Sequence, residues 1–157
     1  MRKLLALGAG VALSLSVATG VSAQTVDKKT LSFDAAMKVA AAAGAEARAR
    51  GIGVVIAVVD DGGHLILLHR LDDTQVASVN VGIGKARTAA IYRRPSKDFE
   101  DQIRAGRVAA LALADSTPLQ GGVPIRLDGK VIGAIGVSGD TPQVDEAIAI
   151  VGANAFK

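Results

Sequence analysis

The sequence predicts an α+β domain built on an antiparallel sheet flanked by helices, and three observations carry that prediction. Two tight hairpin signals, Asp61-Gly62-Gly63 and Asp128-Gly129, each lie between apolar, β-branched runs. Helical periodicity precedes, separates and follows these hairpins. Strands joined by such short turns must run antiparallel, because a parallel pair needs a long crossover. The expected element order is α-β-β-α-α-β-β-α.

Residues 1–23 stand apart from the fold. Arg2 and Lys3 form a basic start, Leu4 to Val17 is almost wholly apolar, and Val21-Ser22-Ala23 offers the small residues a signal peptidase requires. They are read as a secretory signal cleaved before Gln24, because the apolar run is too short for a comfortable membrane anchor. The expected location is periplasmic or secreted, with no membrane span after signal removal. Residues 24–30 are a polar, flexible lead-in, and the domain proper is placed at 31–157.

Ser32 is suited to cap a first helix with Asp34 in its first turn, Phe33, Met37, Ala40 and Ala41 as its apolar face, and Gly51 as its stop. Residues 53–59 form a continuous β-branched run, which predicts a strand buried on both faces; residues 64–70 return as its partner. Asp73 or Thr74 opens a second helix with the stripe Val76, Val79, Ile83, Ala86 and Ala90, ended by Pro95. Ser96 caps a third helix carrying Phe99, Ile103, Ala110 and Leu113, with a break near Gly106. Residues 123–127 and 130–137 make the second hairpin. Thr141 caps the last helix, and Pro142 takes its first position, where the missing amide costs nothing.

Half of the chain is apolar, yet Phe33, Phe99, Phe156 and Tyr92 are its only aromatic residues. Ala, Val, Ile and Gly must fill the core, so elements should approach closely, and contacts between subunits are expected. There is no cysteine, which excludes disulfides, thiolate metal sites and thiol catalysis. Removing the signal leaves 16 basic against 15 acidic residues. That near balance gives no argument for binding nucleic acid.

Few residues carry candidate chemistry. His64 and His69, the only histidines, bracket the second strand; on a regular strand, five residues apart, they face opposite sides and cannot share an ion. Arg70 shares the His64 face, but six residues at ~3.3 Å put the two about 20 Å apart, too far to clamp one porphyrin as ligand and propionate partner. His64, at the turn, is the candidate metal ligand; His69 reads as structural. Tyr92-Arg93-Arg94 ends the second helix, where cations suit the dipole, and Tyr92 with Arg94 could also edge a haem. The glycines of GIGKARTAAIYRRP do not match a phosphate-binding loop, since Val79 and Ala86 stand where Gly and Ser or Thr are needed. Gly133 and Gly136 are read as strand positions without room for side chains. No acid–base carboxylate pair or catalytic triad stands out.

Four segments together resemble the GlcG/HbpS-type family, also called the haem-degrading domain. They are VVDDGGHLILLHRLD, GKARTA, GGVPI and GAIGVSGDTPQVDEAIA, in this order, and the likeness covers nearly all of residues 30–155. The matching positions include Asp60, Gly63, His64, Arg70, Lys85, Gly121, Gly122, Pro124, Gly136, Ser138, Gly139, Asp145 and Glu146. Asp73 stands where the family pattern expects glycine. The resemblance implies a profilin/PAS-like sandwich, a homo-oligomer, and haem as cofactor, with cobalamin as the lesser tetrapyrrole alternative. It also implies a sensor or redox protein as partner. An exported haem-binding protein is the function expected, with His64, Arg70, Tyr92 and Arg94 as its candidate residues. The rivals are a small enzyme of hydroxy-acid, glycolate-type metabolism and a non-catalytic interaction module.

Overall fold

The computed structural model describes residues 24–156. The segment read as an export signal lies outside the described residues. The elements follow the expected order: α1 (Phe33–Ala49), β1 (Val55–Asp60), β2 (Leu65–Arg70), α2 (Ser78–Ile91), α3 (Lys97–Arg104), a 3₁₀ segment (Val108–Ala112), β3 (Gly122–Leu127), β4 (Lys130–Ser138) and α4 (Pro142–Asn154). The two hairpins join through β1 and β4, giving one antiparallel sheet in the order β2-β1-β4-β3. No described helix is long and apolar enough to cross a membrane.

Both turns have local causes. Asp128 and Gly129 adopt φ of 50° and 75°, the paired positive values that let a two-residue loop match strand twist. In the first hairpin the Asp60 carboxylate accepts the backbone N–H of Gly62 at 2.9 Å and of His64 at 2.8 Å, and Gly63 takes φ 82°.

Helices cover the sheet on both sides. Ile56, Val58, Ile135 and Val137 pack with Val39, Ala43, Ala47 and Ile148, so α1 and α4 form one layer. Ala57, Val59 and Ala134 meet Ala86, Ala89 and Ala90, which places α2 on the other. Residues 55–59 are fully buried, as expected of a strand covered on both faces.

The helix faces differ from those expected. In α1, Ala36, Val39, Ala40, Ala43, Gly44 and Ala47 are buried, whereas Phe33 is 57% and Met37 40% exposed, and Ala41 is exposed. Small residues win because α1 and α4 touch closely: a Cβ on Gly152 would stand 3.0 Å from the Ala43 Cβ. α2 starts at Ser78, later than Asp73 or Thr74, because the Thr74 hydroxyl donates to the Leu71 carbonyl in a turn of its own. Val76 is therefore outside the helix and 74% exposed. Ala86 and Ala90 of the expected stripe are buried, with Ile83 packed against the same cluster, and Gly82, Lys85 and Ala89 are buried beside them. A Cβ on Gly136 would fall 2.2 Å from the Gly82 carbonyl oxygen, so here backbone packs directly on backbone. The expected break at Gly106 is present, with φ 95°. Ser96 precedes α3 without a capping bond from its side chain; its hydroxyl donates to the Leu119 carbonyl at 2.5 Å and accepts from the Gly122 N–H at 2.8 Å. Thr141 likewise stands at the N-cap of α4 without a side-chain bond, while Pro142 takes the first turn as expected.

Candidate functional site

The first hairpin presents His64 to solvent. Its side chain is 82% exposed, and its Nδ1 lies 3.3 Å from the Asp60 carboxylate. The same carboxylate holds the turn amides, so imidazole and turn share one anchor. An aspartate accepting from Nδ1 leaves Nε2 outward as the free lone pair, the arrangement that readies a histidine to ligate metal. Beside it is a shallow cleft of about 170 Å³ lined by Gly62, Gly63, His64, Arg87, Ile91 and Asp115. Gly63 is needed there, since a Cβ would meet the Arg87 and Ile91 side chains at 2.9 Å. Arg87 Nε donates to the Gly63 carbonyl at 3.3 Å, which fixes its guanidinium at the cleft. Arg87 was not among the sequence candidates, although it lies within GKARTA; only the packing of α2 against the turn reveals its place.

The expectation that His64 and His69 face opposite sides assumed a regular strand, and β2 is not regular. Val58 pairs with Leu67 and Val59 with Leu65, so Ile66 is an extra residue. Such a bulge breaks the alternation once between the two histidines. His69 pairs with Ile56 and so shares the face toward α1 and α4. The separation along the strand still keeps the imidazoles about 16 Å apart. Among the described residues no group of three or more His, Asp or Glu side chains is placed to hold a metal ion.

The other candidates are dispersed. Arg70 sits at the far end of β2, opposite Val55, where its Nη2 donates to the Thr74 carbonyl at 3.1 Å. The Tyr92 hydroxyl donates to the Ala114 carbonyl at 2.7 Å, and its ring meets Phe99 edge-on at 5.1 Å. Arg94 lies over the Phe99 ring at 3.9 Å, a cation–π contact. Tyr92 thus ties the end of α2 to Ala114, both side chains pack on Phe99 of α3, and the structure does not bring either into the cleft that His64 lines.

A second polar centre is wholly buried. Lys85 of α2 reaches past Gly121 to Asp145 in the first turn of α4, with Nζ 2.7 Å from Oδ2 and both side chains under 5% exposed. Nζ also donates to the Val137 carbonyl at 3.0 Å, and Asp145 Oδ1 accepts from the Asp140 N–H at 3.0 Å. Burial pushes the Asp145 carboxyl above its ordinary range, and the hydrogen bonds from Lys85 and Asp140 only partly oppose it. Gly121 and Gly122 make the reach possible: a Cβ on the first would stand 3.0 Å from Nζ, and on the second 2.2 Å from the Lys85 carbonyl oxygen. The motifs GKARTA, GGVPI and SGDTPQVDEA therefore converge on one ion pair.

Comparison with known proteins matches these same segments. The family model described as haem degrading protein HbpS-like covers residues 31–154. Protein GlcG of Escherichia coli strain K12 is 43% identical over 111 residues, which is 71% of this chain and 83% of that protein. The crystal structure of HbpS superposes with a TM-score of 0.79 at 29% identity, covering 83% of this chain and 93% of that one. The crystal structure of a PduOC:haem complex gives a TM-score of 0.73 at 25% identity, covering 80% and 94%. A family model matched over residues 31–154 and 43% identity to GlcG lead to one conclusion: the chain belongs to the HbpS-like haem-degrading protein family.

Proposed function

We propose that this protein is exported, binds haem through His64, and works as a self-associated assembly, as a haem-handling or haem-sensing protein rather than an enzyme. The Asp60–His64 pair carries this reading. An exposed imidazole with its Nδ1 side committed to a carboxylate is a ligand held in one tautomer and orientation. The family match and the haem complex of PduOC support haem as the group bound.

The residues fit one side of such a site. His64 Nε2 would hold the iron, Asp60 would keep the Nδ1 proton in place, and the Arg87 guanidinium is of the kind that pairs with propionates. Ile91 offers apolar contact at the same cleft. Haem supplies a Lewis-acidic, redox-active iron when bound. Size decides what one chain can do alone: about 170 Å³ falls below the roughly 300–1,000 Å³ of enclosing ligand pockets. A single copy would therefore hold haem along one side only, and a second copy would be needed to complete the cover. Absorption titration of residues 24–157 with ferric haem, with cobalamin as competitor, tests the proposal. A saturable Soret shift that cobalamin does not reverse is expected; free-haem spectra throughout would contradict it.

A further inference from the structure

A larger concavity lies at the tip of the second hairpin. It has a volume of about 590 Å³ and is bounded by the lead-in, Asp61, Arg93 and residues 126–132. Its polar lining is predominantly basic. Lys28 pairs with Asp61 at 2.5 Å and Lys29 with Asp128 at 3.5 Å. Hydrogen bonds from Lys28 and Thr30 lower the Asp61 carboxyl below its ordinary value despite the opposing effect of burial. These two pairs draw the lead-in across the groove as a strap.

Three further cations, Arg93, Arg126 and Lys130, line the groove with no carboxylate partner among the described residues, against Asp27 alone on the acidic side. Arg126 is pre-positioned. It donates from Nη2 to the Arg93 carbonyl at 2.6 Å and from Nη1 to the Gly129 carbonyl at 3.2 Å. Carbonyl acceptors orient a guanidinium without neutralising it, and three of its five N–H donors remain free. The first of these bonds also holds Arg93 in a left-handed conformation, φ 58°, which is costly for a long side chain and needs surrounding structure to persist. Val26, Leu127, Val131 and Ile132 add apolar wall.

We propose that this groove binds a small organic anion whose carboxylate or phosphate oxygens are held by Arg126, Arg93 and Lys130. The volume lies within the range of small-molecule sites, and bidentate guanidinium contacts suit both oxyanions. The site is separate from the His64 cleft, so His64→Ala leaves it intact.

Amide chemical-shift titrations of the purified protein with malonate and with inorganic phosphate, at matched ionic strength and with malonamide as the uncharged control, test this. Saturable shifts confined to residues 26–29, 93 and 126–132 are expected with at least one anion and not with malonamide. A response to malonate alone assigns carboxylates, and one to phosphate alone assigns phosphate esters. Arg126→Gln should weaken binding about tenfold, as loss of a charge-assisted pair does. Lys130→Gln, at the exposed first residue of β4, should weaken it several-fold. Arg107→Gln, an exposed arginine outside the groove, should leave it unchanged. Absence of saturable shifts with both anions, or equal affinity in all three variants, would overturn the proposal.

Discussion

Asp60 shows how one residue ties local structure to function. Its carboxylate holds two turn amides and the His64 ring together. Asn at this position keeps an oxygen acceptor for the amides but loses the charge that fixes Nδ1. Asp60→Asn should therefore leave the fold in place and weaken haem binding about tenfold, within the range for lost second-layer partners of a metal ligand. Ferric haem titration beside a thermal melt checks both halves, and unchanged affinity would separate Asp60 from ligation. The Asp60–Gly63 turn was legible because Asp-Gly-Gly has few other conformational uses. The bulge at Ile66 was not, because nothing in the run Leu65-Ile66-Leu67-Leu68 distinguishes the inserted residue. Asp73 falls between these cases. It stands where the resemblance led us to expect glycine, and it adopts φ 59°, a left-handed position that Asp tolerates better than most residues.

At the scale of elements, hairpins and order were readable and helix faces were not. Periodicity arguments weight large aliphatics, so Phe33, Met37 and Val76 were read as core. The structure instead turns Ala and Gly inward, where backbone-to-backbone distance rather than side-chain size sets the packing. The Lys85–Asp145 pair was invisible for a related reason: its members are 60 residues apart and a lysine among alanines reads as a solvated face. This pair predicts a sharp asymmetry. Lys85→Met strands a buried carboxylate and should cost about 3–5 kcal/mol, whereas Lys85→Met with Asp145→Asn should recover most of it. Denaturant midpoints of the single and double variants give the coupling; additive costs would deny the pair. The pH sign follows from burial. A carboxyl raised in the folded state binds its proton more tightly there, so wild type gains stability from Asp145 as pH falls from neutrality toward the unfolded value. The double variant lacks that increment. Asp61 has the opposite sign: its depressed value stabilises above the ordinary carboxylate range and is lost as pH falls through it. Exposure and salt screening keep that contribution small.

For the whole molecule, the misplaced apolar residues gain a meaning. Phe33 and Met37 of α1 and Ile150 and Val151 of α4 are all exposed, from 38% to 57%, on two helices that pack side by side. Under the self-association proposed above, these exposed apolar side chains are the candidate contacts between copies, with closed symmetric pairing as the usual arrangement. Light scattering of the secreted protein should give a multiple of the monomer mass, with Gln24 as first residue by mass spectrometry, and Met37→Lys should lower that mass. Monomer mass in wild type at micromolar concentration would contradict the assembly.

The most direct test of the central claim compares ferric haem titrations of His64→Ala and His69→Ala with wild type at equal oligomer state. His69 lies within β2, whereas His64 precedes that strand, exposed on a carboxylate-held turn. His64→Ala should lose affinity by about tenfold or more and change its Soret band, since an axial ligand is removed while porphyrin contacts remain. His69→Ala should match wild type. Affinity and spectra of His64→Ala indistinguishable from wild type would contradict the account.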